Sequence, residues 1–201
     1  MVATKTKAQS TPLTLVQQFR ATMTSMAALP NAKKNNKSIA WFKETIKNIP
    51  RAKPALPQVG RMYAFVYDAK YKKELPYWDR FPLILALRVD EQYVLGINLH
   101  YLAPIMRQKF LERMLIAQPR LLNQKSIGPK AKFNVNWDAI KRYPGADKMI
   151  KLYIKSRIQG PAIEINAVQW ANTVWLPTQQ FLDKNGKRYS ARKVWADGKR
   201  H

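Results

Sequence analysis

Residues 61–102 hold three apolar runs separated by turn signals, and this spacing constrains the fold more than any other feature of the chain. "RMYAFVYD" (61–68) alternates, with Met62, Ala64 and Val66 opposed to Tyr63, Phe65 and Tyr67. "FPLILALRV" (81–89) is a continuous apolar run of buried-strand length. Asp90 and Glu91 supply a tight turn, and "YVLGINLHYL" (93–102) returns as a third strand. Gly96 inside that strand predicts a bulge or sharp bend. Three meandering strands of this kind begin a small barrel or a strongly curled antiparallel sheet. The alternation of strand faces puts Asn98 and His100 on one side, Leu99 and Tyr101 on the other.

The flanks read differently. "LTLVQQFRATMTSMAAL" (13–29) places Leu15, Phe19, Met23 and Met26 at helical spacing. Pro30 and "NAKKNNK" break that helix, and Ser38 caps a second one whose apolar face is Ile39, Phe42, Ile46 and Ile49. Pro50, Pro54 and Pro57 mark an extended linker. Beyond the strands, Pro104 opens a helix with Ile105, Phe110, Met114 and Leu115 as its apolar face. Residues 119–135 form an irregular basic connection, and Asn136 caps a short helix. "ADKMIKLYIKSRI" (146–158) reads as an amphipathic helix ended by Gly160-Pro161. "NAVQWAN" makes a helical turn, and "TVWLP" (173–177) reads as a late strand closing the sheet. Asn185-Gly186 is a turn within a basic tail that Trp195 anchors. The expected class is α+β: a small SH3-like β-barrel or curled antiparallel sheet with added basic helices and extended termini. Its parts are a basic N-terminal arm (1–58), a core (59–182) with a helical insertion at about 104–160, and a basic C-terminal tail (183–201).

Charge sets the expected partner. The formal net charge is +24, split as +9 over residues 1–60, +3 over 61–119, +7 over 120–182 and +5 over 183–201. The strand-bearing block is the quiet part, so the positive field belongs to the appendages. Such a field favours a polyanion, and nucleic acid is the first choice. Phosphates would be met by Lys33, Lys34, Lys37, Lys43, Lys47 and Arg51, and by Lys187, Arg188, Arg192, Lys193 and Arg200. Nothing in such a set reads base sequence, so contact with double-stranded DNA is expected to be non-specific. An acidic protein neighbour would satisfy the same charges.

Chemistry-bearing motifs are scarce. The chain has no cysteine, and its two histidines are His100 and the terminal His201, so no metal site and no cofactor follow. Asp68, Glu74 and Asp79 lie close in sequence but among Lys70, Lys72 and Lys73, which reads as ion-paired surface rather than a two-metal nuclease. No glycine-rich phosphate loop or nucleophile motif is present, and the expected protein is not an enzyme. No apolar run approaches the roughly 20 residues of a membrane span. "PYWDRFPL" has two readings. Tyr77, Trp78, Asp79, Arg80 and Phe81 form either an interaction loop or a structured loop in which Asp79 caps a turn and the aromatics complete the core.

Read together, "PYWDRFPL", "NLHYL" (98–102), "LPTQQF" (176–181) and "VWAD" (194–197) resemble a family of small structural or DNA-end-associated virion proteins of T-even-like, contractile-tailed bacteriophages. The matching positions include Tyr77, Asp79, Arg80, Phe81, Asn98, His100, Leu176, Pro177, Phe181, Trp195 and Asp197. The likeness covers roughly residues 59–103 and 172–200. It implies a virion component assembled in the host cytoplasm among other phage subunits in a symmetric assembly. Protection of DNA ends at the head–tail neck is one role it implies. The alternatives are a tail-hub or baseplate part without DNA contact and a DNA-processing nuclease.

Overall fold

The computed structural model describes residues 13–48, 57–118, 133, 136–143 and 145–197. The expected unstructured N-terminus, most of the proline linker and most of the 119–135 connection lie outside these residues, as do Ile49, Arg51 and Arg200.

The meander forms as its turns dictate. Strands β1 (Met62–Tyr67), β3 (Leu83–Val89) and β4 (Tyr93–Asn98) pair antiparallel, with β2 (Trp78–Asp79) in the loop between the first two. Asp90 closes the β3–β4 turn, its Oδ1 accepting from the backbone N–H groups of Gln92 and Tyr93. The β3–β4 register shifts between Ala86 and Arg88, beside the expected irregularity at Gly96. A Cβ on Gly96 would lie 3.1 Å from both the Leu85 carbonyl and Ile84 Cδ1, so β3 approaches this position closely and a larger residue would have to displace it slightly. The third strand stops earlier than its apolar pattern suggests. Asn98 Oδ1 accepts from His100 N, which turns Leu99–Tyr101 into a 3-10 helix, and His100 and Leu99 are both buried rather than alternating across a sheet.

The segment expected to be one amphipathic helix at 146–158 breaks instead into a short helix, a strand and a 3-10 turn. Only Ala146–Met149 is helical, then β5 (Ile150–Ile154) pairs with β4. Met149, Ile150, Tyr153 and Ile154 satisfy a helical period, but β-branched and aromatic residues beside an open ladder edge gain more from pairing. Tyr153 is buried and packs edge-on to Phe65 and Tyr67, with ring centroids 5.4 and 5.0 Å away. A 3-10 turn at Lys155–Arg157 leads to β6 (Ile158–Ile165), which pairs with β1. Gly160-Pro161 therefore stops no helix. It occupies an irregularity on an edge strand, where Gly160 takes φ +73° and the register shifts between Ala64 and Val66.

The resulting order is β5-β4-β3-β1-β6. Its two outermost strands are joined by only three residues, so the sheet must curl to bring its edges together. The two edges do not pair with each other among the described residues, and the sheet is not a closed barrel. The strand expected at 173–177 is absent. Thr173 ends a short helix begun at Trp170, and the carbonyls of Val174 and Leu176 accept from Arg107 rather than from a ladder. A second, three-stranded sheet runs β2, β7 (Phe181–Leu182), β8 (Arg188–Tyr189).

Helices cover one face. α1 (Leu15–Ala27) starts in a capping box between Thr14 and Gln17 and buries Leu15, Phe19, Met23 and Met26 as expected. α1 ends before Pro30 as expected, but α2 spans Asn31–Lys47, so "NAKKNNK" opens the second helix rather than forming part of the break. Pro30 precedes it, where a missing N–H costs nothing, and Ser38 is buried within it rather than capping it. α3 (Pro104–Ile116) buries Phe110, Leu111, Met114, Leu115 and Arg107, while Ile105 faces solvent. The alternation of β1 serves two cores. Met62 and Ala64 join the helix-covered one, while Tyr63, Phe65 and Tyr67 fill the smaller one inside the curl. Among the described residues no helix is long and apolar enough to cross a membrane.

Candidate nucleic-acid interface

The motifs that are scattered in sequence meet at one buried carboxylate. Asp79 Oδ1 accepts from the backbone N–H of Phe81 at 3.1 Å and of Gln180 at 3.0 Å. Its Oδ2 accepts from Asn98 Nδ2 at 3.1 Å and from His100 Nδ1 at 2.7 Å. The Asp79 and His100 side chains are 1% and 0% exposed. Trp195 Nε1 donates to the His100 carbonyl at 2.8 Å, and Thr178 Oγ1 lies 3.4 Å from His100 Nε2. One carboxylate thus fastens the 77–82 loop, the end of β4, the 178–182 segment and, through Trp195, the C-terminal helix Ala191–Asp197.

Burial works against charge on both partners. For Asp79 it is outweighed by His100 and by the hydrogen bonds from His100, Gln180 and Asn98, which hold the carboxyl below its ordinary range. For His100 burial wins over the attraction of Asp79, and its pKa lies below the usual imidazole value. At neutral pH the pair is therefore a carboxylate accepting from a neutral ring, with Nδ1 carrying the proton. Arg107 completes the centre. Its Nε donates to the Leu102 carbonyl at 2.8 Å, its guanidinium lies 5.8 Å from the Trp195 ring, and burial lowers its pKa to about 10. Sealed from solvent, this centre positions chain segments. The turn-capping reading of Asp79 and the structural reading of His100 both hold. Trp78 is buried in the smaller core, Phe81 packs against the larger one, Tyr77 is half-buried and Arg80 is exposed.

Above this centre lies a groove of about 640 Å³. Its walls come from the 69–79 loop, the start of β4, β5 and the 3-10 turn that follows. Tyrosines dominate the lining, and Lys70, Lys151 and Arg157 bring positive charge to it. Lys151 Nζ sits 4.5 Å from the centre of the Tyr101 ring, and its burial lowers its pKa. Burial raises the Tyr101 hydroxyl pKa far above its ordinary value. Sequence reading missed this groove. Its members come from several separate stretches, and those from Ile150 to Arg157 lie in the segment read as a helix.

The expected phosphate-binding residues fall in two groups. Lys33, Lys37, Lys43 and Lys47 are exposed on α2, and Lys34, half-buried, lies 5.3 Å from the Trp175 ring. Lys187, Arg188, Arg192 and Lys193 are exposed on the β7–β8 hairpin and the C-terminal helix. The second group adjoins the groove, because Tyr77 of the groove wall packs 5.9 Å from Tyr189 of the hairpin. α2 packs through Phe42 on Phe81 at 5.9 Å. The carboxylates close in sequence do not gather. Asp68 pairs with Lys72 at 2.9 Å and Arg157 at 3.7 Å, while Asp79 is buried with His100.

No curated protein and no solved structure matches the chain. A family model described as "Phage T4 terminal DNA protecting protein" matches residues 2–198. That match extends the motif likeness, which covered less than half of the chain, over nearly all of it. The chain belongs to the phage T4 terminal DNA protecting protein family.

Proposed function

We propose that this protein caps the ends of phage DNA without enzymatic chemistry, holding the terminal duplex through cations displayed on a rigid scaffold. The observation that carries this reading is the state of those cations. Among the described residues, Lys33, Lys37, Lys43, Lys187, Arg188, Arg192 and Lys193 are exposed and form no ion pair with a carboxylate; Lys47 has only a 3.7 Å contact with Glu44. Unpaired cations in this number are available to phosphates, and releasing the counterions of DNA drives such binding. Membership of the terminal DNA protecting family supports the choice of DNA ends over acidic protein.

We read the scaffold as an open relative of an SH3-like barrel, a reading supported by its order of a meander, an insertion, a 3-10 turn and a return to β1. The contact between Tyr77 and Tyr189 sets the hairpin that carries Lys187 and Arg188 next to the groove wall. In this reading the protein acts in the virion, beside other structural subunits. Filter binding of linear DNA over a salt series tests it. The affinity falls steeply and linearly on logarithmic axes, and bound linear DNA resists an exonuclease. Absence of binding at low salt contradicts it.

A further inference from the structure

The tyrosine groove has a composition that duplex binding does not need. Phosphates of a duplex are met by exposed cations alone, and paired bases offer a side chain only their edges. A tyrosine ring stacks on a base only where the base has a free face, at a terminus or in an unpaired strand. Tyr71 is 51% exposed and Tyr93 is partly exposed; both line the groove beside exposed Leu75. Lys70, Lys151 and Arg157 line the same space; Asp79 lines it too, but it is 4% exposed and both its oxygens already accept hydrogen bonds. Asp68 offsets part of the Arg157 charge at 3.7 Å. Asp147 attracts Lys151 without forming an ion pair with it, and Lys70 has no ion pair among the described residues. The volume of about 640 Å³ is in the range of about 300–1,000 Å³ typical of small-ligand sites.

We propose that this groove takes one or two unpaired nucleotides at a DNA terminus, with bases against Tyr71 and Tyr93 and phosphates against Lys70, Lys151 and Arg157. The inference deepens the end-capping reading and rests on it for its biological setting. It supplies what non-specific cations lack, a means of telling an end from the middle of a duplex. A frayed terminus offers free base faces, and a closed circle offers none.

The test uses the full-length protein and a fluorescent thymidine hexanucleotide, titrated at low salt. The wild type binds it. Tyr71→Ala/Tyr93→Ala weakens this binding about tenfold or more, in line with the cost of about 1–3 kcal/mol for each base stack removed. The same variant keeps wild-type affinity for closed circular duplex, which also shows that it is folded. Lys70→Gln/Arg157→Gln, which leaves both rings in place, weakens hexanucleotide binding several-fold and lowers its salt dependence. Failure of the wild type to bind the hexanucleotide, or undiminished binding by both variants, overturns the groove assignment. So does displacement of the hexanucleotide by a polyglutamate peptide of equal charge as readily as by unlabelled oligonucleotide, which would give the groove to an acidic protein segment. The end-capping reading fails on a different result: equal wild-type affinity for linear and closed circular duplex.

Discussion

Asp79 shows how one residue organises distant parts of this chain. Removing its carboxylate leaves four donors without their acceptor, from Phe81, Gln180, Asn98 and His100. Asp79→Ala is therefore expected to cost about 3 kcal/mol or more in urea unfolding, since each buried donor left unsatisfied costs about 1–3 kcal/mol. Acid should act through the same pair. His100 titrates below its ordinary 6.5 when folded, so the unfolded chain takes up a proton there first. Stability falls as pH drops below about 6.5, and Asp79 adds a second loss as pH falls from about 3.8 through its lowered folded value. Urea midpoints measured from pH 7.5 to 5 decline in the wild type and decline less in His100→Gln. The individual roles of Asp79 and His100 were legible in the sequence: an aspartate before an extended run caps a turn, and a lone histidine has no co-ligands. Their pairing was not legible, because it depends on the 3-10 turn after Asn98 that brings a residue 21 positions away onto the carboxylate.

At the scale of elements, the meander, α1 and α3 were readable because their periodicities admit one interpretation. The stretch 146–158 satisfies two periods, and the open edge of β4 decides between them; that edge exists only after the meander has folded. The 173–177 segment misled for a similar reason. It is apolar and rich in strand-forming residues, but the carbonyls of Val174 and Leu176 are occupied by Arg107, which lies 67 and 69 positions away in the chain. Gly60 tests how tightly these pieces fit. It takes φ +77°, and a Cβ there would lie 2.2 Å from the Phe133 carbonyl oxygen. Phe133 in turn stacks on Trp170 with ring centroids 4.1 Å apart. Gly60→Ala is expected to destabilise by about 2 kcal/mol or more, from left-handed strain and the clash together, seen as a lowered Tm. The basic elements are separable by charge. Replacing Lys187, Arg188, Arg192 and Lys193 with glutamine should lower the logarithmic salt slope of DNA binding by about 1 for each phosphate no longer neutralised, without changing Tm appreciably.

The whole molecule divides into an apolar scaffold and a cationic exterior. Charge partition along the chain made that division visible in the sequence, since the strand block carries +3 of the total +24. The same partition could not show where the cations end up, and the structure sets the C-terminal group beside the tyrosine groove while α2 packs against Phe81. The most direct measurement compares binding of the full-length protein to a linear duplex and to the same sequence covalently closed, at matched salt. An end-capping protein binds the linear form more tightly and saturates at a small number of copies for each DNA molecule whatever its length. Equal affinity for both forms, or saturation that grows in proportion to DNA length, would contradict end capping.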